Sequence, residues 1–161
     1  MKICTTFRLA TLSLLTCLTS TPTAYAASTT TTFDVTASVA ASCTVSAGGA
    51  LTFGAYTGAQ IDQTTTVSIT CTNTTPYTVG LNDGINSLVT QRRMTDGTNF
   101  LNYELYSDSG RTTRWGNASG SWVSDNGSGS AQSKTVYGRL AGSQALFIGS
   151  YTDTITVTVT Y

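Results

Sequence analysis

Apolar and polar residues alternate strictly over one early stretch of the chain, "STTTTFDVTASVAASC" (residues 28–43). Phe33, Val35, Ala37 and Val39 occupy every second position, and Asp34, Thr36 and Ser38 lie among the residues between them. This period of two predicts a β-strand with one buried face. A polar tail precedes the stretch and no tight turn links it to the next strand-like run, so the pattern leaves open which sheet the strand joins.

The same period recurs in short runs separated by Gly, Asn and Asp turns. These runs predict strands at 43–47, 50–56, 64–72, 77–81, 100–108, 134–140 and 151–161. Residues 116–133, rich in Gly, Ser and Asn, predict long loops around at most a brief strand. About seven short strands with such turns indicate an all-β sandwich.

The last run, "YTDTITVTVTY", places Ile155, Val157, Val159 and Tyr161 on one face together with Tyr151 and Asp153. No further strand-like run follows to cover its far edge. Because open edges pair readily with other strands, we expect this one to be a site of pairing with another chain.

The first 26 residues have the pattern of a secretory signal peptide. Lys2 and Arg8 precede a short apolar run, and "AYA" supplies the small residues of a cleavage site. A lipid anchor on Cys17 is the alternative interpretation. The apolar run is too short to span a bilayer comfortably, so we expect an exported chain of residues 27–161 with no stable membrane insertion.

Charge and composition exclude several classes of function. Without Lys2 and Arg8 the exported chain has six basic and eight acidic residues and no histidine. No basic stripe is present to neutralise phosphates, so nucleic acid is not an expected partner. Threonine, which favours strands, fills 27 of the exported positions.

Two cysteines, Cys43 and Cys71, remain once Cys4 and Cys17 leave with the leader. An even pair in an exported chain predicts one disulfide, and two buried free thiols are the alternative. Zinc is not expected, because neither a histidine nor a third cysteine is available.

Catalytic chemistry is not expected either, and neither is a cofactor. Without histidine there is no Ser–His or Cys–His pair. Asp62, Asp83, Asp96 and Asp108 lie in or beside predicted turns, where Asp is expected for local hydrogen bonding. The remaining candidates favour structural interpretations: a solvated loop for Arg92-Arg93, and packing rather than a sugar-binding surface for Trp115 and Trp122.

Several local patterns together resemble the spore coat U domain family, which includes subunits of archaic chaperone–usher pili. In order they are "SCTVS", "LTFGAY", "VSITCT", "RRM", "LNYELYSD", "RWG", "VYGRL" and "GSYTDTITVTVTY", and they extend over nearly all of the chain from Ser42 onward. Two departures concern loops. Thr57-Gly58 stands where the family often has Asp-Pro, and "AGSQALFIGSY" lacks the family's frequent proline.

The resemblance implies an immunoglobulin-like β-sandwich, residues 42–161, that lacks its last strand. A periplasmic chaperone would fill the gap first, against an acceptor edge at Ile155, Val157, Val159 and Tyr161. The N-terminal extension of another subunit, residues 27–41, would then replace it by strand addition, with Phe33, Val35, Ala37 and Val39 as its buried side chains. The alternative is an ordinary first strand within its own sheet.

The function implied is a structural subunit of a surface pilus, joined to other pilin subunits through a periplasmic chaperone and an outer-membrane usher. It would pass through the periplasm to the cell surface. Two alternatives remain: a protective spore or cell-surface coat protein that uses no usher, and a secreted carbohydrate-binding module.

Overall fold

The computed structural model describes residues 24–145 and 147–161. Throughout these residues the only regular elements are β-strands. The predicted signal peptide lies almost wholly outside the described residues and stays a prediction. Within the described part, no helix is long and apolar enough to cross a membrane.

The described residues contain eight strands, most of which lie in period-two runs of the sequence. They are β1 (Cys43–Ala47), β2 (Ile61–Cys71), β3 (Pro76–Leu81), β4 (Arg92–Thr95), β5 (Phe100–Tyr106), β6 (Val123–Asn126), β7 (Gln132–Leu140) and β8 (Val157–Thr160).

The strands form two antiparallel sheets that pack face to face. The larger has the order β1-β2-β7-β5-β4, and the smaller has the order β6-β3-β8. Strands β1 and β8 are therefore each the last strand of their sheet, and they approach each other across the sandwich. The predicted all-β, immunoglobulin-like sandwich is confirmed.

The core lies between the sheets and is filled by alternate residues of the central strands. Because side chains of a strand point to opposite faces in turn, each central strand contributes every second residue to it. The buried hydrophobic residues of these strands are Val67, Ile69, Cys71, Tyr77, Val79, Leu81, Leu101, Tyr103, Leu105, Val136 and Leu140.

Five predicted strands are confirmed as β1, β2, β3, β5 and β7, and the brief strand within 116–133 is β6. Two strand assignments were wrong. Residues 50–56 belong to no strand, and β4 begins at Arg92, where a solvated loop was expected. The final run is a strand over Val157–Thr160, although its in–out alternation extends back to Tyr151.

The chain divides into two units, with the boundary after Ala37. Residues 24–42 contain no strand, and the side chains of Phe33, Val35 and Val39 are each 85% exposed. Within the described residues, the alternation that predicts a strand is thus present without a strand. Whether another molecule supplies a strand partner remains a prediction.

Candidate functional site

A cleft of about 990 Å³ opens into the sandwich unit. Its floor is the apolar core surface, which includes Leu81, Tyr103, Leu105, Val136 and Leu140. Residues 49–56 form one wall, and residues between Phe147 and Val157 form the other. The core of this sandwich is therefore accessible from one side.

The first wall is an extended segment without a sheet partner. No backbone hydrogen bond joins residues 50–57 to any other described residue. Side chains hold the segment instead: Leu51 and Phe53 pack on the core, and the Tyr56 hydroxyl donates to the Ala141 carbonyl at 2.9 Å. Sequence reasoning predicted a strand here because alternation reports which face is buried and not whether the backbone is paired.

Gly138 of β7 allows this wall to approach the sheet closely. A Cβ built at position 138 would lie 2.7 Å from Leu51 Cδ1 and 3.1 Å from Phe53 Cζ. Any larger residue would push these two side chains out of the core and displace the wall.

The second wall alternates between core and solvent from Tyr151 to Val159. Tyr151, Ile155 and Val157 point inward but are only half-buried. Strand β8 pairs with β3 along one edge and is the last strand of its sheet. The other edge of β8 therefore has no strand beside it in the described part of the chain.

Strand β1 is the second edge strand on the open side of the sandwich. Val45 lies opposite Ile69 in the sheet, and Ile69 is fully buried, yet Val45 is 43% exposed. An inward-facing valine with this exposure indicates that no strand of the described residues lies over it. In this part of the chain, the β1 edge of one sheet and the β8 edge of the other are both uncovered.

Asp153 connects the second wall to the rest of the sandwich. Its Oδ2 accepts a hydrogen bond from the Tyr103 hydroxyl at 2.6 Å, and its Oδ1 accepts from the amides of Ile85 (3.0 Å) and Asn86 (3.2 Å). Burial, with the Asp153 carboxylate beside it, raises the pKa of Tyr103 far above its ordinary value. Tyr103 therefore stays a neutral donor at the cleft floor.

Another part of the sandwich, where β4 pairs with β5, is closed around Arg92, whose side chain is fully buried. The guanidinium donates to the carbonyls of Leu81 (3.0 Å), Asn82 (2.7 Å) and Trp115 (2.8 Å), and to the Glu104 carboxylate. Burial lowers the pKa of Arg92, and Glu104 opposes that shift. The expectation of a solvated loop was wrong because this cation finds carbonyl and carboxylate partners inside the fold.

Two further side chains extend this closed region. Arg114 donates to Glu104 Oε2 at 2.8 Å and to Asp83 at 2.5 Å. The buried Trp115 indole donates to the Val79 carbonyl at 2.8 Å, which confirms the predicted packing role, whereas Trp122 is 39% exposed. We name Arg92, Glu104, Arg114 and Trp115 the arginine cluster.

The predicted disulfide joins Cys43 to Cys71, which face each other in the β1–β2 register. Of the predicted acceptor-edge residues, Ile155 and Val157 line the cleft. Val159 is half-buried on the same face, and Tyr161 is 60% exposed and lines a separate shallow depression with Trp122.

The acidic turns divide into two groups. Asp96 and Asp108 accept backbone hydrogen bonds within their own turns, as predicted. Asp62 instead lies in β2, where it pairs with Arg139, so its assignment to a turn was wrong. No group of three potential ligands suited to a metal ion occurs in residues 24–145 and 147–161.

Comparison with known proteins agrees with this architecture. Residues 29–158 match the Spore Coat Protein U domain. Protein U of Myxococcus xanthus is 31% identical over an alignment of 157 residues, and the match covers 86% of this chain and 88% of that protein.

Among solved structures, the fold is similar to the CsuC–CsuE chaperone–tip adhesion subunit pre-assembly complex from archaic chaperone-usher Csu pili of Acinetobacter baumannii. The TM-score is 0.61 and the identity 26%, over 76% of this chain. The match spans 40% of the length of the solved chain. Together with the family match, this confirms the resemblance drawn from the sequence motifs, and the chain belongs to the Spore Coat Protein U domain family.

Proposed function

We propose that the protein is an exported structural subunit of a surface pilus and that its cleft binds a β-strand from another protein. The observation that carries this proposal is the pair of cleft walls. Among residues 24–145 and 147–161, residues 50–57 have no backbone hydrogen-bond partner and β8 has an open edge, and both lie beside an apolar floor. An added strand would satisfy the backbone groups and cover the apolar surface at once.

The strand that fits this cleft within a fibre is the N-terminal segment of another copy, residues 27–41. Its side chains Phe33, Val35, Ala37 and Val39 recur every second residue and would enter the cleft, while Asp34 and Thr36 stay in solvent. Burial of three large apolar side chains is worth several kcal/mol, at about 1.5–3 kcal/mol each. That free energy would hold one subunit to the next.

Before assembly the same cleft would be covered by a periplasmic chaperone, with delivery through an outer-membrane usher. The similar CsuC–CsuE complex contains a chaperone and a pilus subunit, which supports this order of partners. The protein would then pass through the periplasm to the cell surface and act there without catalysing a reaction.

A coat protein is the second candidate, because the family model that matches this chain is the Spore Coat Protein U domain, and Protein U of Myxococcus xanthus aligns over most of both chains. Such a protein would use the same cleft without an usher. The genes beside this one separate the two candidates, since adjacent chaperone and usher genes favour the pilus.

The test compares two charge substitutions on opposite faces of the N-terminal segment. Val35→Asp would place an unpaired charge in the apolar cleft and should abolish polymerisation, whereas Thr36→Asp should leave polymers intact. Sedimentation and electron microscopy of the full chain measure both. Fibres formed equally by both variants would refute donation. A Val35→Asp monomer that is itself unfolded would favour an ordinary first strand.

A second measurement locates the bound strand. A synthetic peptide of residues 28–41, added to the Val35→Asp chain, should slow amide hydrogen exchange at 50–57 and along β8. Exchange around Arg92 should not change. Protection confined to other strands would contradict the proposed binding site.

A further inference from the structure

The loop of residues 141–150 has two solvent-exposed apolar side chains at the rim of the cleft. Phe147 is 56% exposed and Ile148 is fully exposed, and both line the cleft. No charged residue occurs in the loop. Large apolar side chains exposed beside an apolar cleft suggest a surface that a bound partner covers.

The start of the loop is fixed to the sandwich by Gln144. Its side-chain Nε2 donates to the backbone carbonyl of Asn102 at 2.9 Å, and its Oε1 accepts from the backbone N–H of Asn102 at 2.6 Å. This pair imitates a backbone ladder along β5, just beyond the end of β7. The backbone N–H of Gln144 also donates to the Tyr56 hydroxyl at 3.1 Å, which links the loop to the opposite wall of the cleft.

The end of the loop is fixed by two further contacts. The Tyr151 hydroxyl donates to the Phe147 carbonyl at 3.2 Å. Gly149 packs against the 96–99 turn so closely that an added Cβ would lie 2.7 Å from Asp96 Oδ2. The exposed pair is therefore held at the cleft rim from both sides.

We propose that Phe147 and Ile148 form a clamp that packs against the N-terminal segment of a second copy once that segment lies in the cleft. This inference rests on the proposed function, since it specifies how that cleft retains its strand. The segment is a suitable occupant, because its Phe33, Val35 and Val39 are 85% exposed and it has a single charged residue, Asp34. Covering the clamp would remove apolar surface from water on both partners, so its main effect is to slow dissociation.

A matched control exists on another loop. Leu88 and Val89 are also exposed, at 60% and 86%, but neither lines the cleft. Serine at these two positions removes a similar amount of exposed apolar surface without touching the clamp.

The experiment measures binding of the residue 28–41 peptide to the immobilised Val35→Asp chain, which keeps its cleft free. Phe147→Ser/Ile148→Ser should increase the peptide dissociation rate by about tenfold or more. Leu88→Ser/Val89→Ser should leave that rate unchanged. Denaturant midpoints of both double variants establish that the sandwich is intact.

The outcomes separate the two proposals. Tight binding by all three proteins with the same dissociation rate overturns the clamp and leaves the strand-accepting cleft standing. Equal acceleration in both double variants also overturns the clamp, since the effect would not depend on position. No binding by any of the proteins overturns the strand-accepting cleft and the clamp with it.

Discussion

The region around Arg92 and the cleft differ in how their inward-facing groups find partners. Around Arg92 the chain supplies every partner itself: carbonyls from two parts of the chain and the Glu104 carboxylate surround the fully buried guanidinium. Around the cleft, Val45, Ile155 and Val157 face inward but remain partly exposed, and residues 50–57 lack backbone partners among the described residues. The first is complete within the part of the chain that the structure describes, and we propose that a second molecule completes the other. Stability and assembly are therefore separable by mutation.

The largest effect is expected on the closed side. Arg92→Met would leave the carbonyls of Leu81, Asn82 and Trp115 without their donor and Glu104 without one of its cations. Removal of one member of a buried charge pair costs about 3–5 kcal/mol. Urea unfolding of the full chain measures the loss, and Arg93→Met is the control, since Arg93 is half-buried and lies over the Phe100 ring. Equal losses in both variants would show that the closed side does not depend on Arg92.

The next effect concerns the disulfide that fixes β1 at the open side. Cys43→Ser/Cys71→Ser opens a loop with a sequence separation of 28 residues. We expect a loss of about 3–4 kcal/mol from the greater freedom of the unfolded chain. The free energy of unfolding measures it against the disulfide-bonded wild-type protein, and reduced wild-type protein should show a similar loss. Wild-type stability in the double variant would contradict this expectation, as would two alkylated thiols in the folded wild-type protein.

A smaller effect is expected where the two sides meet. Gly84 has a φ of +86°, and a Cβ there would lie 1.9 Å from Asp153 Oδ2. Gly84→Ala would strain the backbone and displace the carboxylate that binds Tyr103, at a cost of about 1–3 kcal/mol. Peptide binding should weaken together with stability, because Asp153 belongs to the second wall. Gly120→Ala is the control, since its φ is +84° but no atom lies near its Cβ; an equal effect on peptide binding would refute the role of Asp153.

The smallest expected effect is on the loss of stability at acidic pH. Hydrogen bonds from Asn99 and Thr98 lower the pKa of Asp96 from its ordinary 3.8 to about 2. The folded state therefore favours the carboxylate, and this contribution is complete above the unfolded pKa and is lost as pH falls from about 4 to about 2. Asp96→Asn should make the decline of the unfolding free energy over this range shallower. Parallel pH curves for the two proteins would count against it.

The sequence alone predicted which face of each strand is buried better than it predicted which segments are hydrogen-bonded in a sheet. Alternation located β1, β2, β3, β5 and β7 and the inward side of Ile155 and Val157, because one buried face imposes a period of two. It could not distinguish the unpaired 50–56 segment from a strand, since Leu51 and Phe53 alternate with exposed residues as they would in a strand.

The sequence patterns could not predict polar contacts between residues that are distant in sequence. Arg92 was assigned to solvent because arginine is seldom fully buried, and its carbonyl partners are distant in sequence or lie in a turn. The clamp residues Phe147 and Ile148 gave no periodic pattern. The absence of proline from "AGSQALFIGSY" does not indicate that this loop lies beside the cleft.

The disulfide also determines how a pulling force enters the domain. Tension on the N-terminal segment reaches the sandwich at Cys43, the first residue of β1. There the covalent bridge transmits it directly to Cys71, at the end of the eleven-residue β2, which is hydrogen-bonded on both edges. Strand β1 is thereby protected from being peeled off one hydrogen bond at a time. Mechanical unfolding from this end would have to shear β2 out of the middle of its sheet.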